Sequence, residues 1–342
     1  MNQTKIKKET KNKIRVDFER TSAWTRFKIK YLSVHFLGTA VWWLFRFMLL
    51  LGIAFVILYP FFTKIASSFM SYEDLVDTTV KLVPKYPNLD RYRLVIYDGY
   101  YTALFNTLWL SLSIAVIQTF ICSFIGYGFA KFKFKGNGLL FALVIFTMIV
   151  PHNAMKFAMF MRFRYFDIGY LTDLIAGKGL IELIFGKPIN MINTVVPMYL
   201  LSLTGLGFKN GLYIFMMRQF FRGVPDELEE SAYIDGSGVF HTFFTIILPM
   251  AGSMMITIFL FSFSWQWTDY FYTNLFIQNG KNFGHEFLVM SNFYSGNITA
   301  STGVAGANNA AASLMIIAPL IILYLFGQRY LIQGIERSGI TG

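Results

Sequence analysis

No charged residue interrupts the chain between Asp98 and Lys131. A run of that length has no place on the surface of a water-soluble fold, and it exceeds the roughly 20 helical residues that cross a bilayer core of about 30 Å. Comparable apolar runs recur, and their spacing predicts six spans at about 41–62, 101–130, 137–155, 194–217, 246–268 and 310–328. Composition agrees: 55% of residues are apolar and only 14% charged, against roughly 25% charged in a soluble domain. The 38 Phe and 19 Tyr exclude a disordered chain. The single cysteine, Cys122, excludes a disulfide framework and a cysteine zinc site, and inside the second span it reads as a small buried hydrophobe. The expected fold class is an all-α polytopic membrane protein with six transmembrane helices.

The formal net charge of +11 is concentrated rather than spread, with ten Lys and Arg between Lys5 and Lys30 against three acids. Beside a span this reads as a basic cytoplasmic arm held inside by its charge, and no aromatic-basic motif points to nucleic acid. The apolar stretch from Phe47 to Phe62 exceeds the roughly 7–15 residues of a signal-peptide core, so it reads as an uncleaved first span. Residues 1–40 form the arm, 41–332 the transmembrane domain and 333–342 a short tail. An even number of spans puts both ends on one side, and that side collects eighteen Lys and Arg against eleven on the other. Both ends are therefore expected in the cytoplasm.

The most informative segment joins the fourth and fifth spans, residues 218–245, and includes VPDELEESAYIDGSGVF. Pro225 suits a first helical turn, where its missing N–H costs nothing. Asp226, Glu227, Glu229 and Glu230 favour the positive end of that helix. Gly236 is placed to end it in a left-handed turn, and Ser237 to cap a second helix whose Val239, Phe240, Phe243, Phe244 and Ile247 form an apolar stripe. An interfacial helix pair resting on lipid would not need an acidic, small-residue face, which matches anionic lipid poorly.

Glu230-Ser231-Ala232, then Asp235-Gly236, then Leu248-Pro249, resembles the Glu-Ala-Ala motif of binding-protein-dependent ABC importer permeases, with Ser231 in place of the first Ala. Arg218-Gln219-Phe220-Phe221, Pro225 and Glu227-Leu228 look like the approach to that motif in sugar-importer permeases. Asn106-Thr107-Leu108, Trp267-Thr268-Asp269-Tyr270-Phe271 and the ending from Gln328 also resemble that branch, close to the six-span permease of maltose transporters. The likeness covers about 50–342, leaving out the basic arm. It implies the type I ABC importer permease architecture in a bacterial plasma membrane. It also implies a cytoplasmic coupling helix docked on an ATPase through Glu227, Glu230, Ser231, Ala232, Asp235, Gly236 and Pro249. The implied partners are a second homologous permease, two ATPase subunits carrying ATP and Mg, and an extracytoplasmic sugar-binding protein. The 278–309 loop, with Asn282, Asn292, Asn297, Asn308 and Asn309, would face that binding protein.

No phosphate-cradling Gly-x-x-x-x-Gly-Lys sequence occurs, so no ATP site is expected in this chain, nor any other cofactor, and the four scattered histidines suggest no metal. No motif of an intramembrane protease or lipase occurs either, so the chain reads as a transport subunit and not an enzyme. A self-contained secondary transporter or channel is the alternative, but it would want internal repeats and midplane ion ligands. Lys209 interrupts the fourth span between Gly205, Gly207 and Gly211. Two readings stand for it: a group lining the sugar pathway, or a lysine snorkelling to the interface. Trp267 and Asp269, among the aromatics closing the fifth span, read as pathway residues or as part of an interfacial aromatic belt.

Overall fold

The computed structural model describes residues 34–168, 179–207, 209–278, 281–282, 285–291 and 302–339. The basic stretch from Lys5 to Lys30, and Asn292 and Asn297 of the 278–309 loop, lie outside the described residues. Two compact units are present, Met1–Lys64 and Ile65–Gly342. Helix α1, Val34–Phe69, occupies the described part of the first unit and continues to Phe69. Trp42, Phe45, Leu50 and Phe55 stand exposed along it, as side chains meant for a nonaqueous solvent do.

The second unit opens with a compact polar turn. Helix α2, Tyr72–Val76, starts on a reciprocal capping box between Ser71 and Asp74. The same Asp74 carboxylate accepts the Lys85 and Tyr86 N–H groups and folds the segment back on itself. Helix α3, Asp90–Tyr97, follows. Its buried Arg91 donates to the Met70 carbonyl at 3.0 Å and to Asn308 at 2.9 Å.

Helix α4, Tyr100–Lys131, is the axis of this unit, buried along Ala103, Leu110, Ile114, Gln118 and Cys122. After it come α5, Asn137–Ile149, and α6, His152–Arg164, bent by 95° about Pro151. Helix α7, Leu180–Phe185, is short. Helices α8, Val196–Leu203, and α9, Asn210–Arg222, are separated by a glycine-rich break, at the place where Lys209 and its neighbouring glycines interrupt the 194–217 run in the sequence. The acidic loop forms α10, Glu227–Ile234, and α11, Val239–Met250. Then α12, Gly252–Trp267, leaves α11 at 78°. Helix α13, Phe271–Phe276, precedes a two-residue antiparallel ladder, β1 Lys281–Asn282 and β2 His285–Glu286. Helix α14, Thr302–Gly339, closes the described chain. Among the described residues, three helices are long and apolar enough to cross a membrane, or five if each bent pair is one span. The six-span count rests on treating α8 and α9 as a further, broken span.

Helices α8, α9 and α12 pack around α4, and α14 packs on α12. Gly126 sets the closest approach: a Cβ there would stand 2.6 Å from Met217 Cβ and 3.0 Å from the Arg218 main-chain nitrogen of α9. The 38-residue helix α14 contains Pro319, which deprives the Met315 carbonyl of its helical donor. The Tyr100 hydroxyl supplies the missing bond to Met315 O at 3.0 Å, and the Trp267 indole N–H bonds the neighbouring Ile316 O at 3.0 Å. Residues from α4 and α12 thus complete a defect in α14 that lipid cannot satisfy.

Gly126 and Gly128 sit on the same helix in opposite situations, since nothing lies within 4 Å of a Cβ at Gly128. Gly126→Ala is expected to destabilise the protein by about 1–3 kcal/mol through overpacking. Gly128→Ala should be neutral or raise stability by about 0.5–1 kcal/mol through helix propensity. Thermal unfolding of the detergent-solubilised protein measures both shifts.

Candidate functional site

The acidic helix α10 is held from below and offered outward. Val224, Glu229 and Ala232 are buried, whereas Glu227, Glu230, Ser231, Asp235, Gly236 and, on α11, Pro249 are exposed. Ile234 lies among them with 86% of its surface exposed, so this face combines acid with apolar area. Gly236 ends α10 in the left-handed region at φ +85°. The Gly236 N–H bonds Tyr233 O at 3.1 Å and the Ser237 N–H bonds Ala232 O at 2.9 Å, the paired bonds of a Schellman turn. The next helix begins differently from the sequence expectation. Gly238, in extended conformation, is its N-cap, and the Ser237 hydroxyl instead accepts a bond from Thr242 at 3.0 Å.

Beneath α10 sits Lys131, the last residue of α4. Its ammonium donates to Val224 O at 2.6 Å and to Asp226 Oδ1 at 2.5 Å, and stands 3.8 Å from Glu229 Oε1. The hydrogen bond from Lys131 holds the exposed Asp226 carboxyl below its usual range. Burial pushes Glu229 the other way, above the usual carboxylate range. Position on the sequence made Lys131 one of three basic residues in a short loop; the structure makes it a buried fastening.

A second constellation lies where α8 breaks. Its end repeats the Schellman pattern, with Gly205 at φ +74°, its N–H on Ser202 O at 3.3 Å and the Leu206 N–H on Leu201 O at 2.9 Å. Lys209 then adopts φ +63° as the N-cap of α9, a conformation uncommon for a side chain without a local polar cap. Its ammonium lies over the Trp265 ring, 5.1 Å from the centroid, within cation–π range. Trp265 in turn stacks with Tyr213, ring centroids 6.0 Å apart. Lys209, His152, Thr147 and Gly207 line a cavity of about 130 Å³ with no acid among its lining residues.

Gln118 of α4 joins the surrounding helices. Its amide donates to Ser202 of α8 at 3.2 Å and accepts from Ser262 of α12 at 2.5 Å. With Tyr213, Trp265, Gln266 and Asp269 it borders a small polar cavity. The Tyr213 hydroxyl and the Gln266 amide nitrogen are buried there without a protein hydrogen bond.

The two residues singled out near the end of the fifth span part company. Trp267 is 1% exposed and its N–H is engaged by α14, so it packs the helices together. Asp269 accepts from the Tyr272 and Thr273 N–H groups at 3.2 and 2.9 Å, which caps α13 while leaving an edge on the polar cavity. Trp265 belongs to the aromatic cluster that closes the fifth span, whereas Tyr213, Gln118 and His152 carry no pathway reading in the sequence, although a glutamine inside an uncharged run is itself a signal of an internal polar contact. Among the described residues no three His, Cys, Asp or Glu side chains gather as a metal site would require.

Residues 121–337 match the family described as binding-protein-dependent transport system inner membrane component. The arabinooligosaccharides transport system permease protein AraQ of Halalkalibacterium halodurans is 25% identical over 303 residues, covering 85% of this chain and 93% of that protein. The galactooligosaccharides transport system permease protein GanQ of Bacillus subtilis is 24% identical, covering 87% of this chain and 95% of its own length. A crystal structure of a bacterial ABC transporter involved in import of the acidic polysaccharide alginate matches with a TM-score of 0.65 and 20% identity, over 86% of this chain and 97% of that one. The long apolar helices, the acidic helix between α9 and α11 and this match over most of the chain agree, and the protein belongs to the family of inner-membrane permease components of binding-protein-dependent transport systems.

Proposed function

We propose that this chain is the permease subunit of an ATP-driven importer that carries a sugar or oligosaccharide into a bacterial cell. The observation that carries the reading is α10: an exposed face of Glu227, Glu230, Ser231 and Ile234 mounted on the buried Glu229 and Ala232. Such a helix suits docking in a cleft of an ATPase subunit, which would hold the ATP and Mg. The named substrates of AraQ and GanQ support the carbohydrate class. A second homologous permease completes the pathway as a heterodimer, two ATPase subunits drive it, and an extracytoplasmic binding protein delivers the sugar. In this reading both termini are cytoplasmic, and α8 and α9 form a sixth, broken span around residues 204–209. Transport then follows a population shift, since the docked loop must bind the open and closed ATPase states with different affinity.

Within this reading Lys209 marks the substrate side. The cavity it lines also presents His152 and Thr147, and the Trp265 ring beneath the ammonium holds the charge in place. That combination suits a sugar bearing a carboxylate or sulfate. The alginate transporter that shares the fold carries an acidic polysaccharide.

Gly236→Pro removes the left-handed turn and the Gly236 N–H, and Glu230→Lys inverts the charge on the outer face. Both variants are expected to insert normally while losing most binding-protein-stimulated ATP hydrolysis and uptake in the reconstituted complex. Normal stimulation and uptake in both would overturn the docking reading. For the substrate, Lys209→Met should reduce uptake of an acidic oligosaccharide about tenfold more than that of a neutral one, the equivalent of about 1.4 kcal/mol. Lys209→Gly, which suits φ +63°, separates charge from backbone: it should match Lys209→Met in selectivity. Uptake assays with the two sugars check both, and equal effects on both sugars would reduce Lys209 to a structural residue.

A further inference from the structure

Two routes lead from α10 into the membrane helices. One follows the chain: through the Gly236 turn, along α11 and into α12. It is soft at three places, the left-handed glycine, a π-helical turn at Phe243–Ile247 and the 78° bend between α11 and α12. A π turn wastes a hydrogen-bonded register and is a common point of yielding.

The other route leaves the chain at Lys131. That side chain is 6% exposed, and its ammonium reaches one carbonyl and one carboxylate in the turn that launches α10, with the Glu229 carboxylate 3.8 Å away. A buried ammonium that loses such partners is costly, so the contact resists separation. The end of α4 is held a second time, where Arg218 of α9 lays its guanidinium over Phe141, 3.8 Å from the ring centroid, and reaches the Phe129 carbonyl at 3.4 Å. From Lys131 the helix runs without a break to Tyr100. Gln118, thirteen residues earlier on the same helix, is about 20 Å away at 1.5 Å per residue. There it holds α8 and α12 through Ser202 and Ser262.

We propose that Lys131 is a positioning residue that fastens the acidic loop to α4, so that displacement of α10 reaches the Gln118 junction through one continuous helix. The proposal rests on the reading that α10 docks an ATPase, and it adds the route by which the docked helix moves the pathway. Asp226 is exposed and Glu229 buried, so the two acids divide the work: one can be altered from solvent, while the other keeps the Lys131 ammonium from being drawn out. The loop carbonyl of Val224 ties the fastening to main chain, which a change of loop side chains leaves in place.

The test uses the full complex of both permeases, ATPase and binding protein in proteoliposomes, with Lys131→Met and Lys131→Arg. Three quantities are read: ATPase retained on the purified complex, sugar-stimulated hydrolysis, and sugar moved per ATP. Lys131→Met is expected to retain the ATPase yet move about tenfold less sugar per ATP, a coupling change of ordinary size. Lys131→Arg, which keeps the charge and donors, should restore most of the ratio. Should Lys131→Met fail to accumulate, Asp226→Asn reads the same contact from an exposed position, with about a threefold lower ratio expected. An unchanged ratio in Lys131→Met, or in Asp226→Asn where that variant stands in, overturns the proposal. Equal losses in Lys131→Met and Lys131→Arg also overturn it. A wild-type complex that retains no ATPase overturns the docking reading instead, and is distinguished by the first of the three quantities.

Discussion

Inside a bilayer, a main-chain N–H or C=O without a partner has no water to turn to, and this constraint organises the protein. Where its helices are regular they satisfy themselves. Where they break, side chains or glycine turns close the account. Pro319 leaves the Met315 carbonyl open, and Tyr100 of α4 bonds it while Trp267 of α12 takes Ile316 O. The break after α8 is closed by the Gly205 turn, whose two N–H groups return to Ser202 and Leu201. Each repair ties one helix to another or fixes a corner, so the defects of individual spans become the joints of the bundle.

The same logic separates the two ends of the candidate machinery. Near α10 the groups to be satisfied are charged, and the solution is ionic: Lys131 sits among Val224 O, Asp226 and Glu229. At the Gln118 level they are neutral, and the solution is a chain of amide and hydroxyl groups through Ser202 and Ser262. A neutral junction can exchange partners as helices shift, because no uncompensated charge appears when one bond is lost. The charged junction cannot do so cheaply. A rigid fastening at one end and an exchangeable one at the other is the arrangement a lever requires.

Much of this was legible in the sequence, for identifiable reasons. Apolar run length reports the bilayer directly, so the stretch from Asp98 to Lys131 marked α4 almost to the residue. Gly236 was legible because a helix of known start and an acidic first turn need a left-handed exit, and φ +85° is what the structure has there. Ser237 was misread as a cap because a serine one residue too early competes with Gly238, which tolerates the extended N-cap equally well. The breaks were unequally legible: the glycines around Lys209 marked the interruption between α8 and α9, whereas the 137–155 run gave no sign that the chain would turn 95° at Pro151 into α6. Trp267 and Trp265 show the limit most clearly. Two residues apart on a helix they point to nearly opposite faces, and choosing which one meets the cavity requires knowing where α14 packs.

Lys131 was hidden for a different reason. A lysine at the end of a span fits the expected charge pattern of a loop whether it is solvated or buried, so its sequence context carries no information about its environment. Its acceptors lie more than ninety residues away, in a segment whose own acids are already explained by the helix dipole. Both halves of the contact thus have a sufficient local reason to exist, and neither announces the other. The membrane removes the ambiguity only after folding, because α4 and α9 approach closely at Gly126 and bring the start of α10 over the last turn of α4. The fastening is therefore a consequence of a small residue five positions earlier: with a side chain at 126, α9 would stand farther from α4, and the Val224 carbonyl would move away from the ammonium that now holds it.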